Sequence, residues 1–554
     1  MGKIVRRLIF WYFIFVIIKS ILSYFIPAPS EFSDSYIYAK MARNMFYFLT
    51  PNIGTGYQPL YPITLSVSYF FNEMTIIYPV MKLINSLISS LIIFPAWLIA
   101  KEFFNEKRAL ILAILISLIP PIFAFSPIIM SENLFFPLFL LSFYFIYKSF
   151  TSPSYKWDIL AGVFIGVSLL SRVLSISLIF GLFVLFILNY FHKNHSKQFT
   201  KKLILFIFLF LTLSPFILEH ILASGLNLSL LLGRYNGEAN AILDQSYPYE
   251  SIIPNFFVNL GYVILGSLLI YFISSLTLFK DYKKDHKLFV LGTLTFSTLF
   301  ALLLISVNHG INHPAFLFNW LGGQVLGRYL EAILPAFVIL GSYGFIKKHD
   351  LQKRYLILLA LILAFTANII VLPLFPVNNM SLTYLGVILS FLRIIISDYI
   401  LLVVFGIIFF TFPFIFYYFY KKFNFEKIIS LTLVFFLFMA ILNFSVMVFN
   451  SYTYWYKGDQ MQLGIWFDKY DKGTSTVLFD IRDTGRKLEK LNQSILCDPN
   501  ACIMGFWMNN KILIGHPDEI EADYIISKHK LTYPIIKRQG GIYIYEGNNH
   551  DSGL

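Results

Sequence analysis

The chain has 554 residues, 57% of them hydrophobic and only 13% charged, with a mean hydropathy of +0.70. Soluble domains carry about 25% charged residues, so this composition excludes an ordinary soluble protein and indicates one embedded in a membrane. The net charge of +13 does not point to nucleic acid, because the basic residues fall in short clusters between apolar runs, as the positive-inside rule requires.

Apolar runs able to cross about 30 Å of hydrocarbon recur along the chain. In order they are Leu8–Ile26, Thr75–Ala100, Ala109–Phe125, Asn133–Tyr147, Ile159–Leu170, Leu174–Phe191, Leu203–Leu222, Phe256–Phe279, Leu288–Val307, Tyr329–Ile346, Tyr355–Leu372, Tyr399–Tyr420 and Ile428–Asn450. This predicts thirteen spans. The first follows the basic Lys3, Arg6 and Arg7 but has no small-residue cleavage site, so it reads as a retained anchor. Clusters at Lys101/Lys107/Arg108, Lys148/Lys156, Lys193–Lys202, Lys280–Lys287, Lys347–Arg354 and Lys421–Lys427 all fall on the N-terminal side of the membrane. The opposite loops as far as residue 450 hold only Lys40, Arg43, Arg172, Arg234, Arg328 and Arg393. The N-terminus is therefore expected in the cytoplasm and the C-terminal segment outside a cell membrane. Merging the Ile159–Phe191 hairpin into one span would put the later basic clusters on the wrong side.

From Ser451 the composition turns to that of a soluble domain. Short strands are predicted at Thr476–Asp480, Lys511–Ile514, Asp523–Ser527 and Gly541–Tyr545, with a helix around Met461–Tyr470. The expected organisation is an all-α polytopic membrane domain over residues 1–450, with a long first outer loop at 27–74, and a small extracytoplasmic α/β domain at 451–554. Cys497 and Cys502 are too few for a thiol metal site, but an oxidising exterior would let them form a disulfide around the Asp498–Ala501 turn. The alternative is a pair of free thiols.

Chemistry is expected at the outer ends of the spans. In the first outer loop Ala39, Ala42, Met45 and Phe46 recur at helical spacing, which predicts an amphipathic interfacial helix with Ser33 or Asp34 at its cap. A capping carboxylate and a base facing a cavity are compatible roles for Asp34. The run Tyr57-Gln-Pro-Leu-Tyr61-Pro62 then leads into a second interfacial helix. Glu132 opens the fourth span, where it serves either a site or the helix dipole. Arg172 lies at the apex of the Ile159–Phe191 hairpin, where it either meets an anion or snorkels to the interface. Arg328 and Tyr329 precede the tenth span, close to Glu331 and Pro335. Lys19 can snorkel, whereas Lys82 lies about two turns into its span and is a stronger functional candidate. His309 and His313 stand four apart, but Gly310 and Pro314 argue against a helix and for exposed loop histidines. Carboxylates with several cations suit a lipid-linked phosphate, since cations can hold the phosphate while a carboxylate takes a proton from an attacking hydroxyl.

On these residues the chain resembles the GT-C superfamily of glycosyltransferases, in the branch of protein O-mannosyltransferases and aminoarabinose lipid A transferases. The resemblance rests on the topology, Asp34-Ser-x-x-Tyr38-Ala39, Tyr57-x-Pro-Leu-Tyr61-Pro62, Ser131-Glu132, the Arg172 hairpin and Arg328-Tyr329. It implies the GT-C fold and inverting transfer from a polyprenyl- or dolichyl-phosphate sugar to a glycan, lipid or protein hydroxyl outside the membrane, without nucleic acid. It also implies Asp34 as base or organiser of the acceptor, with Glu132 as a second acidic group. Arg172, Arg328 and Lys82 would bind the donor phosphate, and Tyr38, Tyr57, Tyr61 and Tyr329 would line the cavity. The first loop lacks the Asp-Glu pair of the protein O-mannosyltransferases, and Tyr454-Trp-Tyr-Lys-Gly458 lacks the Asp of the oligosaccharyltransferase motif. No cofactor is indicated and no metal ligand is assigned; use of a divalent ion is left open, Asp34 with Glu132 being a thin ligand set. The rival readings are a lipid-linked glycan polymerase or ligase of the same fold and a transporter or flippase, which would show inverted repeats and short outer loops.

Overall fold

The structure, a computed structural model, describes residues 2–29, 32–49, 57–193, 197–224, 249–282, 284–311, 325–367, 378–473, 475–482 and 499–547. The chain forms two compact units. One comprises Met1–Ile17, Ile88–Phe125 and Glu132–Ser445; the other comprises Ile18–Leu87, Ser126–Ser131 and Val446–Leu554. The first outer loop thus groups with the C-terminal segment.

The first unit is helical, the form in which a chain in lipid satisfies its own backbone N–H and C=O groups. Among the described residues seven helices are long and apolar enough to cross a membrane: Met74–Ala100, Glu132–Thr151, Val173–Phe191, Lys202–Glu219, His286–Ile311, Asp398–Lys422 and Phe425–Tyr456. The protein is a multi-pass membrane protein. The first expected span lies in the 23-residue helix Gly2–Tyr24, and others lie in shorter helices such as Tyr155–Ser171, Leu334–Lys347 and Lys353–Thr366. Small residues let helices approach closely. At Gly162 an added Cβ would overlap the backbone of Leu205 and Leu209 on the Lys197–Ser224 helix.

Two features depart from the expected spans. Phe256–Phe279 is not one straight span, because Ile252–Gly266 and Ile270–Lys280 meet at a 99° bend. The turn is made by Leu268 and Leu269 at φ of +57° and +47°, a conformation that costs an L-residue about 1–2 kcal/mol. An additional helix, Thr383–Leu392, occupies sequence expected to be loop. The predicted inner-side basic clusters include Lys148 and Lys287, which pair with Glu102 at 3.0 and 3.3 Å, and the buried Lys202, which pairs with Asp158.

The second unit holds a five-stranded mixed sheet with strands β1 (Thr476–Asp480), β2 (Lys511–Gly515), β3 (Tyr524–Ser527), β4 (Ile535–Gln539) and β5 (Ile542–Glu546). Their order is β2-β1-β3-β5-β4. β1 runs parallel to β2 and β3, and β5 runs antiparallel to β3 and β4. Four of the five strands match those predicted. β4 was missed because its Ile-Ile-Lys-Arg-Gln has little alternation and only intermediate burial. Val477, Phe479, Tyr524 and Ile526 pack against Leu463 and Phe467 of the Asp459–Asp471 helix and Met504 and Met508 at the Pro499–Phe506 helix. Cys502 is buried, while Cys497, and with it the expected disulfide, lies outside the described residues.

The first-loop helix forms as expected, over Phe32–Phe48, but it is not amphipathic in its surroundings. Asp34 through Arg43 are all buried, the two cations included. Lys40 Nζ donates to the carbonyls of Met508 and Asn510, and Arg43 Nε donates to Asn509 O at 3.0 Å. Burial on all sides from Asp34 to Arg43 replaces the half-exposed face predicted from spacing, and exposure returns only at the end of the helix, at Tyr47 and Phe48.

Candidate functional site

In the first unit, Glu132 is the first residue of the Glu132–Thr151 helix and is wholly buried. Arg172 ends the Tyr155–Ser171 helix in an extended conformation, so its side chain leaves the helical path at the hairpin apex. The two form an ion pair, with side-chain exposures of 9% for Arg172 and 0% for Glu132. The charge of Arg172 is thus met by Glu132. Its guanidinium also lies 5.2 Å from the Tyr329 ring and 5.7 Å from Phe135.

Tyr329 receives a second cation. The Arg328 guanidinium stands 5.5 Å from the same ring, and the His309 ring is 4.9 Å away. His309 is therefore not an exposed loop residue: it lies buried in the last turn of the His286–Ile311 helix, which runs through Gly310. His313 lies outside the described residues. The backbone of the Arg328 turn is anchored, with Gly327 N donating to Asn379 Oδ1 at 3.3 Å and Arg328 N to Asn378 O at 3.0 Å.

In the second unit, Asp34 lies in the first turn of its helix rather than at the cap. It is buried and accepts a 2.6 Å hydrogen bond from the Tyr57 hydroxyl. Tyr38 meets Tyr57 and Tyr61 edge-on at 5.2 and 5.0 Å, and its hydroxyl donates to Ser131 Oγ at 3.0 Å. Tyr61 in turn donates to Asn85 Oδ1 at 2.9 Å. Asp34 and the three tyrosines predicted with it thus share one connected patch. Lys82 is used differently: its Nζ donates to the carbonyls of Ser23 and Ile26 at 2.8 and 2.7 Å, beyond or within the last turn of the Gly2–Tyr24 helix.

A further buried acid was invisible in the sequence. Asp468 accepts from Met74 N and Asn509 N, both at 2.7 Å. Burial pushes its carboxyl up to about 6, although those hydrogen bonds and the Lys40 charge pull the other way. Lys40 is held well below the usual lysine range, chiefly by burial and then by Arg43. Among the described residues no group of three or more His, Cys, Asp or Glu is placed to hold a metal ion.

Residues 61–218 match the sequence-family model described as dolichyl-phosphate-mannose-protein mannosyltransferase. No curated protein matches the chain. Among solved structures, ArnT from Cupriavidus metallidurans bound to undecaprenyl phosphate is similar over 97% of each chain, at 10% identity and a TM-score of 0.58. The apo form of the same enzyme gives 11% identity, 97% coverage of each chain and a TM-score of 0.54.

The chain shares the fold of these ArnT structures. Within this fold the residues singled out from sequence fall into two sets. Glu132, Arg172, Arg328 and Tyr329 gather in one unit, and Asp34, Tyr38, Tyr57, Tyr61 and Lys82 belong to the other. Glu331, Tyr262 and Ser381 join the first set without having been assigned a role from sequence.

Proposed function

We propose that the chain is a membrane glycosyltransferase that moves a sugar from a polyprenyl- or dolichyl-phosphate donor to an extracytoplasmic hydroxyl, with inversion. The observation that carries this reading is the gathering of Arg172 and Arg328 on the Tyr329 ring, with Arg172 also paired to buried Glu132. Guanidinium groups hold phosphate oxygens bidentately, and the attraction strengthens where water is excluded. The family match to a dolichyl-phosphate-mannose enzyme and the likeness to a structure with undecaprenyl phosphate support a lipid-phosphate donor.

On this reading Arg172 and Arg328 stabilise the negative charge that grows on the departing phosphate. Asp34, fixed by Tyr57, takes the proton from the acceptor hydroxyl. The acceptor oxygen attacks the anomeric carbon on the face opposite the phosphate. A new C–O bond forms, the sugar–phosphate C–O bond breaks, and the lipid phosphate leaves with the bonding pair. Glu132 orients Arg172. Lys82, which gives two of its three N–H donors to carbonyls, has a third to offer a phosphate. The loop charges support a cytoplasmic N-terminus and a C-terminal segment outside.

The test is transfer from radiolabelled polyprenyl-phosphate sugars by purified protein in liposomes, supplied with acceptor-containing membrane extract. Label should leave the lipid with wild type and stay on it with Asp34→Asn. Equal release by the two proteins would overturn the base assignment, and no release from any lipid-phosphate sugar would overturn the reading.

A further inference from the structure

Glu331 lies in a short 3-10 turn between the Arg328–Tyr329 pair and the Leu334–Lys347 helix, and it is wholly buried. One of its carboxylate oxygens is saturated. Oε1 accepts from the Tyr262 hydroxyl at 2.6 Å, from Ser381 N at 3.1 Å and from Ser381 Oγ at 3.0 Å. The other oxygen is not: among the described residues Oε2 is buried and has no hydrogen-bond partner. A buried carboxylate oxygen left unsatisfied costs about 1–3 kcal/mol or more, so such an atom in a native structure calls for a partner.

The surroundings keep that oxygen in one place. Tyr262 packs so tightly on Gly327 that an added Cβ there would overlap the phenol ring. Gly327 and Arg328 are in turn bonded to Asn379 and Asn378, just before Ser381. The segment that presents Arg328 and Tyr329 is therefore clipped to its neighbours through the same residue whose second oxygen is unused. Glu132 is near enough to act electrostatically on Glu331, which puts a carboxylate with a spare oxygen in the neighbourhood of the Arg172 site. An unused acceptor oxygen there attracts O–H donors and offers a phosphate oxygen nothing. A sugar attached to a phosphate offers both kinds of group a short distance apart.

We infer that Glu331 Oε2 accepts a hydrogen bond from a hydroxyl of the sugar carried by the lipid phosphate, which makes Glu331 a sugar-selecting residue. This rests on the lipid-phosphate-sugar reading given above. Arg172 and Arg328 then recognise the phosphate common to loaded and spent lipid, and Glu331 recognises the part that is transferred.

The two halves separate in a binding experiment with purified protein in detergent, using dolichyl phosphate and dolichyl-phosphate mannose as probes. Wild type should bind both, and bind the mannosylated lipid more tightly. Glu331→Gln keeps an acceptor toward Tyr262 and Ser381 but replaces the spare oxygen with an amide NH2 group. It should weaken binding of the mannosylated lipid by about tenfold and leave dolichyl phosphate unchanged, the loss expected for one buried hydrogen bond. Equal weakening for both probes, or no weakening, would overturn the assignment. If wild type binds neither lipid, the function reading falls and this inference falls with it. A measurement on unmodified protein guards against a misfolded variant: labelling by a hydrophobic carbodiimide, read by mass spectrometry. Glu331 should be protected by dolichyl-phosphate mannose and not by dolichyl phosphate. Labelling indifferent to the sugar, or absent throughout, would overturn the proposal.

Discussion

Arg172 and Glu132 hold each other's charge in a place where neither meets appreciable water, at 9% and 0% side-chain exposure. Removing one partner of such a pair costs about 3–5 kcal/mol because the other charge stays buried, whereas replacing both with apolar groups is often nearly neutral. Glu132→Gln should therefore lower the thermal midpoint of the purified protein markedly. The double variant Glu132→Leu/Arg172→Met should recover much of that loss while remaining inactive in sugar transfer. Thermal unfolding of the wild type, Glu132→Leu, Arg172→Met and the double variant in one detergent gives the coupling. Additive losses would mean that the two charges do not depend on each other.

A second prediction concerns the acid in the first outer loop. General-base catalysis contributes about 10²–10⁴-fold, so Asp34→Asn should lower kcat by that order while the protein still folds and binds lipid phosphate. Tyr57→Phe removes the 2.6 Å hydrogen bond that fixes Asp34 but leaves the carboxylate, and should cost less. Its effect should fall on kcat rather than on donor KM. A Tyr57→Phe enzyme with full kcat would remove Tyr57 from the positioning of Asp34.

Arg172 and Arg328 can be told apart from general electrostatics by salt and by substitution. Each lies against Tyr329. Arg328→Lys keeps the charge but loses the planar fork that binds phosphate bidentately and lies on an aromatic face. It should raise donor KM by several-fold, and Arg328→Ala should raise it further. Identical KM for the lysine and wild-type proteins would mean that a point charge suffices there.

Long apolar runs made the helical membrane class legible, and a short apolar run closed by Asp480 made Thr476–Asp480 legible to the residue. Asp34 with Tyr57 and Tyr61, and the Arg172 hairpin, could be read because charged or aromatic residues stood out against an apolar background. What stayed hidden depends on tertiary neighbours. The 99° bend falls at Ser267–Leu269, where no Pro and no Gly marks the two residues with positive φ. Gly310 suggested a loop, but packing carries the helix through it to Ile311 and buries His309 against Tyr329. Lys40 and Asp468 are more than 400 residues apart in sequence, so no local pattern could show that they act on each other.

Lys82 offers a test of how far sequence position can be trusted. It was expected to bind the donor phosphate, yet its Nζ is bonded to Ser23 O and Ile26 O and stands 4.4 Å from the Tyr78 ring. Hydrogen bonds from charged groups contribute about 1.5–3 kcal/mol each. Lys82→Met should thus lower the thermal midpoint whether or not lipid is present. If Lys82 also binds phosphate, the stabilisation that dolichyl phosphate confers on wild type should shrink in the variant. An unchanged ligand-induced rise in midpoint would restrict Lys82 to holding the two carbonyls.

Asp468 should give the second unit a pH dependence of its own. Burial raises its carboxyl from 3.8 to about 6, against the pull of Met74 N, Asn509 N and the Lys40 charge and with a small push from Glu73. The folded chain therefore binds this proton more tightly than the unfolded chain does. The resulting stabilisation is complete below about pH 3.8 and is lost as the pH rises through about 6. Asp468→Asn removes the titration, and it costs one backbone N–H its acceptor by an amount that does not vary with pH. The midpoint of wild type minus that of Asp468→Asn should consequently fall between pH 4 and pH 7, most steeply near the folded value. Thermal unfolding of both proteins across that range, at constant ionic strength, measures the difference directly. A difference that stays flat would mean that Asp468 keeps its ordinary carboxylate behaviour despite its burial.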